Sequence, residues 1–205
     1  MPSVMIKETQ VFAFSELSDS AKEKARNWWK SQGLEHEWWG SVYEMAETAA
    51  KLLGIDIDRK TRSSSQPAIW FSGFYCQSDF CAIEADYRYQ KGSVKTIKAE
   101  FPTDTELQAI AKGLQDVQKR SFYKLGARMS QTFRNNQSVD VWHSDDNYRN
   151  IGEDEELLAD ILKDFSHWVF CALEKEYEYL NSDECIDEGI LANEYQFTEN
   201  GEIYF

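Results

Sequence analysis

Three prolines, four cysteines and no long apolar run are spread over 205 residues, and each scarcity removes a class of protein. No stretch approaches the roughly 18 apolar residues needed to cross a bilayer, and the opening MPSVMIKETQ has neither the basic segment nor the apolar run of a signal peptide. A soluble, cytoplasmic protein with no membrane association is expected. Cys76, Cys81, Cys171 and Cys185 are too few and too scattered to frame a chain of this length with disulfides, so reduced thiols are expected. His36, His143 and His167 stand far from one another, and a four-ligand zinc site would need long-range assembly. Phosphate loops, dinucleotide fingerprints, nucleophile elbows and zinc-protease helices are all missing, so no cofactor, no metal and no catalytic residue is assigned.

The scarcity with the most to say is that of basic residues near the end. From Ile151 to Phe205 there are sixteen Asp and Glu against Lys163 and Lys175, whereas residues 1–150 hold twenty acids and twenty bases. The whole net charge of -14 therefore sits in the last quarter of the chain. Such a segment repels nucleic acid and anionic membranes and steers basic protein surfaces toward it. Twenty-nine aromatic residues and 42% apolar content argue against disorder, which requires low hydrophobicity as well as charge.

Local signals alternate without repeats. Val4 to Phe14 reads as extended. Ser18 and Ser20 are candidate caps for a helix over 19–31 that stops at Gly33, with Ser20 and Glu23 at capping-box spacing. A second helix is expected from Glu35 to Leu53, its core stripe Trp38, Val42, Met45, Ala49 and Leu52, followed by a strand over 55–58. Arg59 to Gln66 (RKTRSSSQ) is the most basic local patch and reads as a mobile surface loop. Strands over 68–75 and 80–89 are joined at Cys76-Gln77-Ser78-Asp79. A capping box at Thr103 and Glu106 opens a helix to Arg120, and a hairpin over 123–142 turns around Asn135-Asn136-Gln137. Helices over 153–180 and 182–192 precede a terminal hairpin on Asn200-Gly201, which suits a type I′ turn. The order predicts an α+β fold, a mostly antiparallel sheet of about five to seven strands packed with four to five helices. One domain over 1–205 is expected, with 151–205 as an acidic C-terminal helical lobe and hairpin within it.

On the long helix, Leu158, Ile161, Leu162, Phe165, Trp168, Val169, Ala172 and Tyr177 define an apolar face. Glu156, Asp160 and Asp164 stand one turn apart, and Glu174 and Glu178 repeat that line five turns on. Like charges so placed repel by about 0.2–0.5 kcal/mol per pair. A solvated face that maintains solubility is one reading, and a docking surface for a basic partner is the other. Asp183, Glu184, Asp187 and Glu188 extend the charge beyond the helix. Trp29 and Trp39, next to Trp28 and Trp38, fall toward the flanks of their stripes, and Cys171 among apolar residues reads as a buried thiol. His143 beside Asp145 and Asp146, with Asp140 two strand positions before Trp142, could make an acid–base or metal constellation. A polar turn at a strand end produces the same letters. Gln77 and Asp79 are possible loop contacts.

Three stretches resemble a family of phage and prophage proteins commonly labelled antitoxins of toxin–antitoxin stability systems. They are Phe14-Ser15-Glu16-Leu17-Ser18 through Trp28-Trp29, Trp70-Phe71-Ser72-Gly73-Phe74 through Gln77 and Asp79 to Tyr87, and Glu176-Tyr177-Glu178-Tyr179-Leu180 through Asn193-Glu194-Tyr195. The resemblance implies a phage protein in the bacterial host cytoplasm. Joined to the charge, it points to a non-catalytic acidic inhibitor of a basic protein target, antitoxin-like or counter-defence. The partner would be a toxin or a nucleic-acid-binding defence protein, with no direct nucleic-acid contact and an oligomeric state left open. One alternative is a DNA mimic that blocks a restriction or CRISPR nuclease. Another is an enzyme of unknown type using His143 with Asp145 or Asp146.

Overall fold

Caps set most helix boundaries. The computed structural model describes residues 9–34, 37–77, 79–132, 136–144 and 152–204. Along the chain run β1 (Phe12–Ala13), α1 (Asp19–Ser31), α2 (Gly40–Leu53), β2 (Ile55–Ile57), β3 (Ile69–Ser72), β4 (Phe80–Ile83) and β5 (Ala85–Arg88). Next come α3 (Ser93–Glu100), α4 (Thr105–Arg120), β6 (Leu125–Gln131), β7 (Gln137–His143) and α5 (Glu153–Leu180). The chain closes with α6 (Asp183–Ala192), β8 (Gln196–Phe197) and β9 (Ile203–Tyr204). Among the described residues the protein is α+β, with six α-helices and nine strands, all paired antiparallel. The strands divide into sheets of four, three and two instead of one larger sheet. No described helix is long and apolar enough to cross a membrane.

Ser18 Oγ accepts from Ala21 N at α1, Asp104 Oδ1 from Leu107 N at α4, and Ser182 Oγ from Cys185 N at α6, each satisfying a donor that a helix start leaves orphaned. Ser18, not Ser20, is therefore the cap of α1. Helix α2 begins at Gly40, later than expected, because Glu37 lies at φ +68°, outside the right-handed helical region. Glu35 and His36 fall outside the described residues, as do Val4, Ser78, Asn135, Asp145 and Asp146.

The chain forms two compact units, one of Met1–Trp38 with Lys175–Phe205, the other of Trp39–Glu174. The acidic C-terminal segment is thus shared between them. In the larger unit the sheet order is β2-β5-β6-β7, and β3-β4 makes a separate ribbon. Its core includes Leu53, Ile55, Ile69, Ile83, Tyr87, Leu107, Leu114, Met129, Leu162 and Phe165, all buried. The α2 face that is buried centres on Val42, Tyr43, Ala46, Ala49, Ala50 and Leu53, while Met45 and Leu52 are only half-buried; the stripe is rotated from the expected one. On α5 the buried face matches expectation through Val169, then continues through Leu173 and not Ala172 or Tyr177.

The run 80–89 is not one strand. At Glu84 the backbone N–H donates to Ala68 O and the carbonyl accepts from Asp58 N, so the chain leaves the ribbon and enters the four-stranded sheet there. Gln137 bridges the gap from within β7. Its Nε2 donates to the Ile83, Ser130 and Ser138 carbonyls, and its Oε1 accepts from Ile83 N at 2.7 Å and Ser166 Oγ at 2.8 Å. The stretch Arg59 to Gln66 is tied down. Arg59 pairs with Glu47 at 2.6 Å, Lys60 N donates to Gln66 O, and the Lys60 ammonium lies over the Tyr43 and Trp70 rings.

The smaller unit is closed by its own ends: Phe12 on β1 pairs with Phe197 on β8, which pairs with Ile203 on β9. Phe14, Leu17, Ala21, Ala25, Ile186, Ile190 and Phe197 form its core, with Trp28, Trp29 and Tyr195 packed against it. The terminal hairpin differs from the expected type I′ turn. Gly201 alone takes positive φ (+80°), Gly201 N donates to Thr198 O, and Thr198 N donates to Glu202 O; a type I turn followed by a glycine bulge has this pattern. A Cβ on Gly201 would stand 2.1 Å from the Ala21 carbonyl oxygen, so no other residue fits.

Candidate functional site

Nine carboxylates were singled out by sequence, and the fold sorts them. Glu156, Asp160 and Asp164 lie exposed along α5 in the larger unit, with Glu174 half-buried further along. Asp160 already holds Lys163 at 3.0 Å. In the smaller unit Asp183 and Asp187 are engaged by α1. Arg26 donates from Nε and Nη2 to the two Asp187 oxygens, both at 2.6 Å, and its Nη1 lies 3.2 Å from Asp183, which also meets Lys30 at 3.3 Å. The Arg26 guanidinium is raised above its ordinary value, first by the Asp187 hydrogen bond, against a lowering from burial. These two aspartates hold α6 against α1 and are structural.

Glu178, Glu184 and Glu188 remain exposed, and no cation pairs with them among the described residues. Glu184, Glu188 and Leu191 follow one another at helical spacing on α6, and Leu191 is exposed. Across the short turn, the end of α5 presents Glu176 and Tyr179, the latter 52% exposed. The Tyr179 hydroxyl is raised above its usual range, first by Cys185 and then by Glu188, with Glu184 and Glu176 adding to it. The Cys185 thiol is also raised, by burial first and then by Glu188 and Glu176, against a hydrogen bond with Tyr179. Three glutamates therefore converge on one exposed tyrosine, in an arrangement that concentrates negative potential beside an aromatic ring. Tyr179, Glu176 and Leu191 escaped the sequence reading, which followed charge periodicity along α5 and not the corner between helices.

The other expected residues have simpler roles. Asp79 accepts from Cys76 N and donates its own N–H to Cys76 O, which closes the loop after β3; Gln77 is exposed in that loop. His143 is half-buried at the end of β7, opposite Leu125, and Asp140 stands opposite Arg128. Trp29 packs on Gly189 and Tyr195, and Trp39 on Tyr43 and Phe71, so both adjacent tryptophans are absorbed into packing. Cys171 is half-buried, its sulfur 3.6 Å from His167 Nε2. Among the described residues no group of three or more His, Cys, Asp or Glu side chains could hold a metal ion.

Comparison with curated proteins and with solved structures found no match in either. Residues 38–183 match one family model, described as a domain of unknown function, DUF8835. That match takes in α2 through the start of α6, well over half of the sequence, and the chain belongs to the DUF8835 family.

Proposed function

We propose that this chain is a non-catalytic acidic inhibitor that docks a basic protein surface onto the corner between α5 and α6. The observation that carries the reading is the row of exposed Glu184, Glu188 and Leu191 on α6, joined by a short turn to the end of α5 with its exposed Tyr179, and with no cation paired to those glutamates among the described residues. Carboxylates without partners repel one another, and an arriving Arg or Lys relieves that repulsion. Exposed Tyr179 is of a residue type in which binding energy concentrates, and the exposed Leu191 adds apolar area beside the carboxylates. Asp183 and Asp187, neutralised from within, keep the surface rigid. The resemblance to phage antitoxin-labelled proteins supports a toxin or a nucleic-acid-binding defence protein as the partner.

Complementary charge accelerates encounter to about 10⁸–10⁹ M⁻¹s⁻¹ at low salt and makes it salt-sensitive. The test is affinity capture from a bacterial host at about 50 and 200 mM salt, using wild type, a Glu176→Lys/Glu184→Lys/Glu188→Lys variant, and an Asp160→Lys/Asp164→Lys variant. A partner captured at low salt, lost with the first variant and kept with the second, is the expected result. Capture indifferent to the triple reversal refutes the site, and capture lost only with the second variant moves it to the α5 stripe.

A further inference from the structure

The larger unit carries the opposite chemistry at one end of its four-stranded sheet. Two short segments, Arg88-Tyr89-Gln90-Lys91 and Lys119-Arg120-Ser121-Phe122-Tyr123-Lys124, interleave five bases with three aromatics and contain no acid. The fold brings them together: Tyr89 and Tyr123 have ring centroids 4.5 Å apart, and Ser144 N donates to Lys124 O beside the Leu125–His143 pair. Trp142 joins them from β7. Its indole lies over Gly126, where a Cβ would come within 2.7 Å of ring atoms, so the glycine lets one ring face rest on the sheet while the residue stays 39% exposed.

Phe122 and Tyr123 both take positive φ, +51° and +62°, which bulky side chains rarely adopt. The turn is held there by buried Gln118, whose backbone carbonyl accepts from Tyr123 N at 2.6 Å and whose amide exchanges hydrogen bonds with both backbone groups of Leu125. The outcome is a phenylalanine 79% exposed on a fixed support. Strained residues that the surroundings over-determine cluster at ligand-binding positions.

We propose that this end of the sheet binds single-stranded nucleic acid, with bases stacked on Phe122, Trp142 and the Tyr89–Tyr123 pair and phosphates along Arg88, Lys91 and Lys119. Aromatic faces flanked by cations are the chemistry of sequence-tolerant single-strand binding. An acidic protein segment would match the charge, and β7 is an outer strand of the sheet, but pairing along that strand would leave the exposed Phe122 and Tyr123 rings unused, whereas bases stack on open ring faces. The acidic tail had argued against direct nucleic-acid contact. At physiological salt the Debye length is about 8 Å, so the acids that count are those close to the site, and Asp154 at the start of α5, which belongs to the acidic segment, is one of them. Local acids limit the footprint: Asp154 neutralises Arg120 at 2.9 Å, Asp116 lines the same cavity as Lys119 and Arg120, and Asp86 and Asp140 begin a negative row two residues further along the strands. This surface is built from residues of the larger unit and the carboxylates around Tyr179 from residues of the smaller one, and the two proposals share no residue, so each is tested by its own variants.

The experiment is fluorescence anisotropy with labelled oligothymidylate and oligouridylate of roughly 12 nucleotides, and a duplex of equal length, titrated with the full chain between about 50 and 200 mM salt. Expected are binding of the single strands but not of the duplex, weakening with salt, and at least a tenfold loss in Phe122→Ala/Trp142→Ala. Lys91→Glu/Lys119→Glu should abolish binding outright. Circular dichroism checks folding, and Phe122→Ala alone, a change at an exposed side chain, serves if Trp142→Ala unfolds. No single-strand binding at low salt, equal binding of the duplex, or unchanged affinity in the aromatic variants overturns the proposal. So does retention of polyglutamate in place of the oligonucleotides.

Discussion

Replacing Arg26 by Met separates the structural carboxylates of α6 from those offered to a partner. The substitution removes two 2.6 Å hydrogen bonds to Asp187 and the 3.2 Å contact with Asp183, while an unbranched side chain keeps the stem's packing. Hydrogen bonds to charged groups contribute about 1.5–3 kcal/mol, and exposed ion pairs about 0–1. Arg26 and Asp187 are 24% and 28% exposed, between those limits, and the orphaned aspartates can turn toward water. The expected loss is therefore about 1.5–2.5 kcal/mol, below the cost of stranding a buried charge. Urea unfolding of wild type, Arg26→Met, Asp187→Asn and the double variant gives the coupling directly, which should be about 1–2 kcal/mol. A loss under about 0.5 kcal/mol, or no coupling, refutes the assignment of Asp187 as a strut. The freed carboxylates should also steepen the salt dependence of partner association, since the corner then carries more unbalanced charge.

Gln137→Ala removes five hydrogen bonds and orphans Ile83 N–H, Ile83 C=O and Ser166 Oγ; at about 1–3 kcal/mol per buried orphan, with partial relaxation, the loss should reach about 3–5 kcal/mol. Ser166→Ala should cost about 1 kcal/mol in wild type and almost nothing in that variant. Burial pushes the Tyr87 hydroxyl up to about 12 despite the lowering hydrogen bond with Gln118, and raises Tyr43 as well. Both raised values favour the neutral form in the folded state. Stability is therefore fully present below the unfolded value of about 10 and is lost as pH rises through the folded values; urea midpoints should fall between about pH 10 and 12. An unchanged midpoint over that range contradicts the burial of these hydroxyls.

Most element types could be read from the residues. Ser18 and Ser182 cap α1 and α6 with side-chain oxygens, α4 is capped by Asp104 and not by Thr103 of the expected box, and the apolar spacing of α5 over 153–180 returns the helix with the same boundaries. What escaped was decided at long range. Helix α3 is eight residues long and has no side-chain cap, only Gly92 in the left-handed region before it, so it depends on packing against α2 and α4. The break at Glu84 leaves no mark in composition, since both halves of 80–89 suit a strand and only the partners differ. In the corner between α5 and α6 the spacing of acids is visible in the sequence, but which of them are neutralised depends on Arg26, 161 residues from Asp187 in sequence.

The pairing of Phe12 with Phe197 makes the smaller unit the last to become possible during synthesis. Residues 39–174 leave the ribosome in one continuous stretch and can collapse as they emerge, whereas the segment before Trp39 must wait for residues 175–204. At about 5–20 residues per second that delay is roughly 8–33 s long. Loss of residues 175–204 would leave the continuous stretch 39–174 intact but remove α6 and the strands that pair with β1, so the smaller unit could not close.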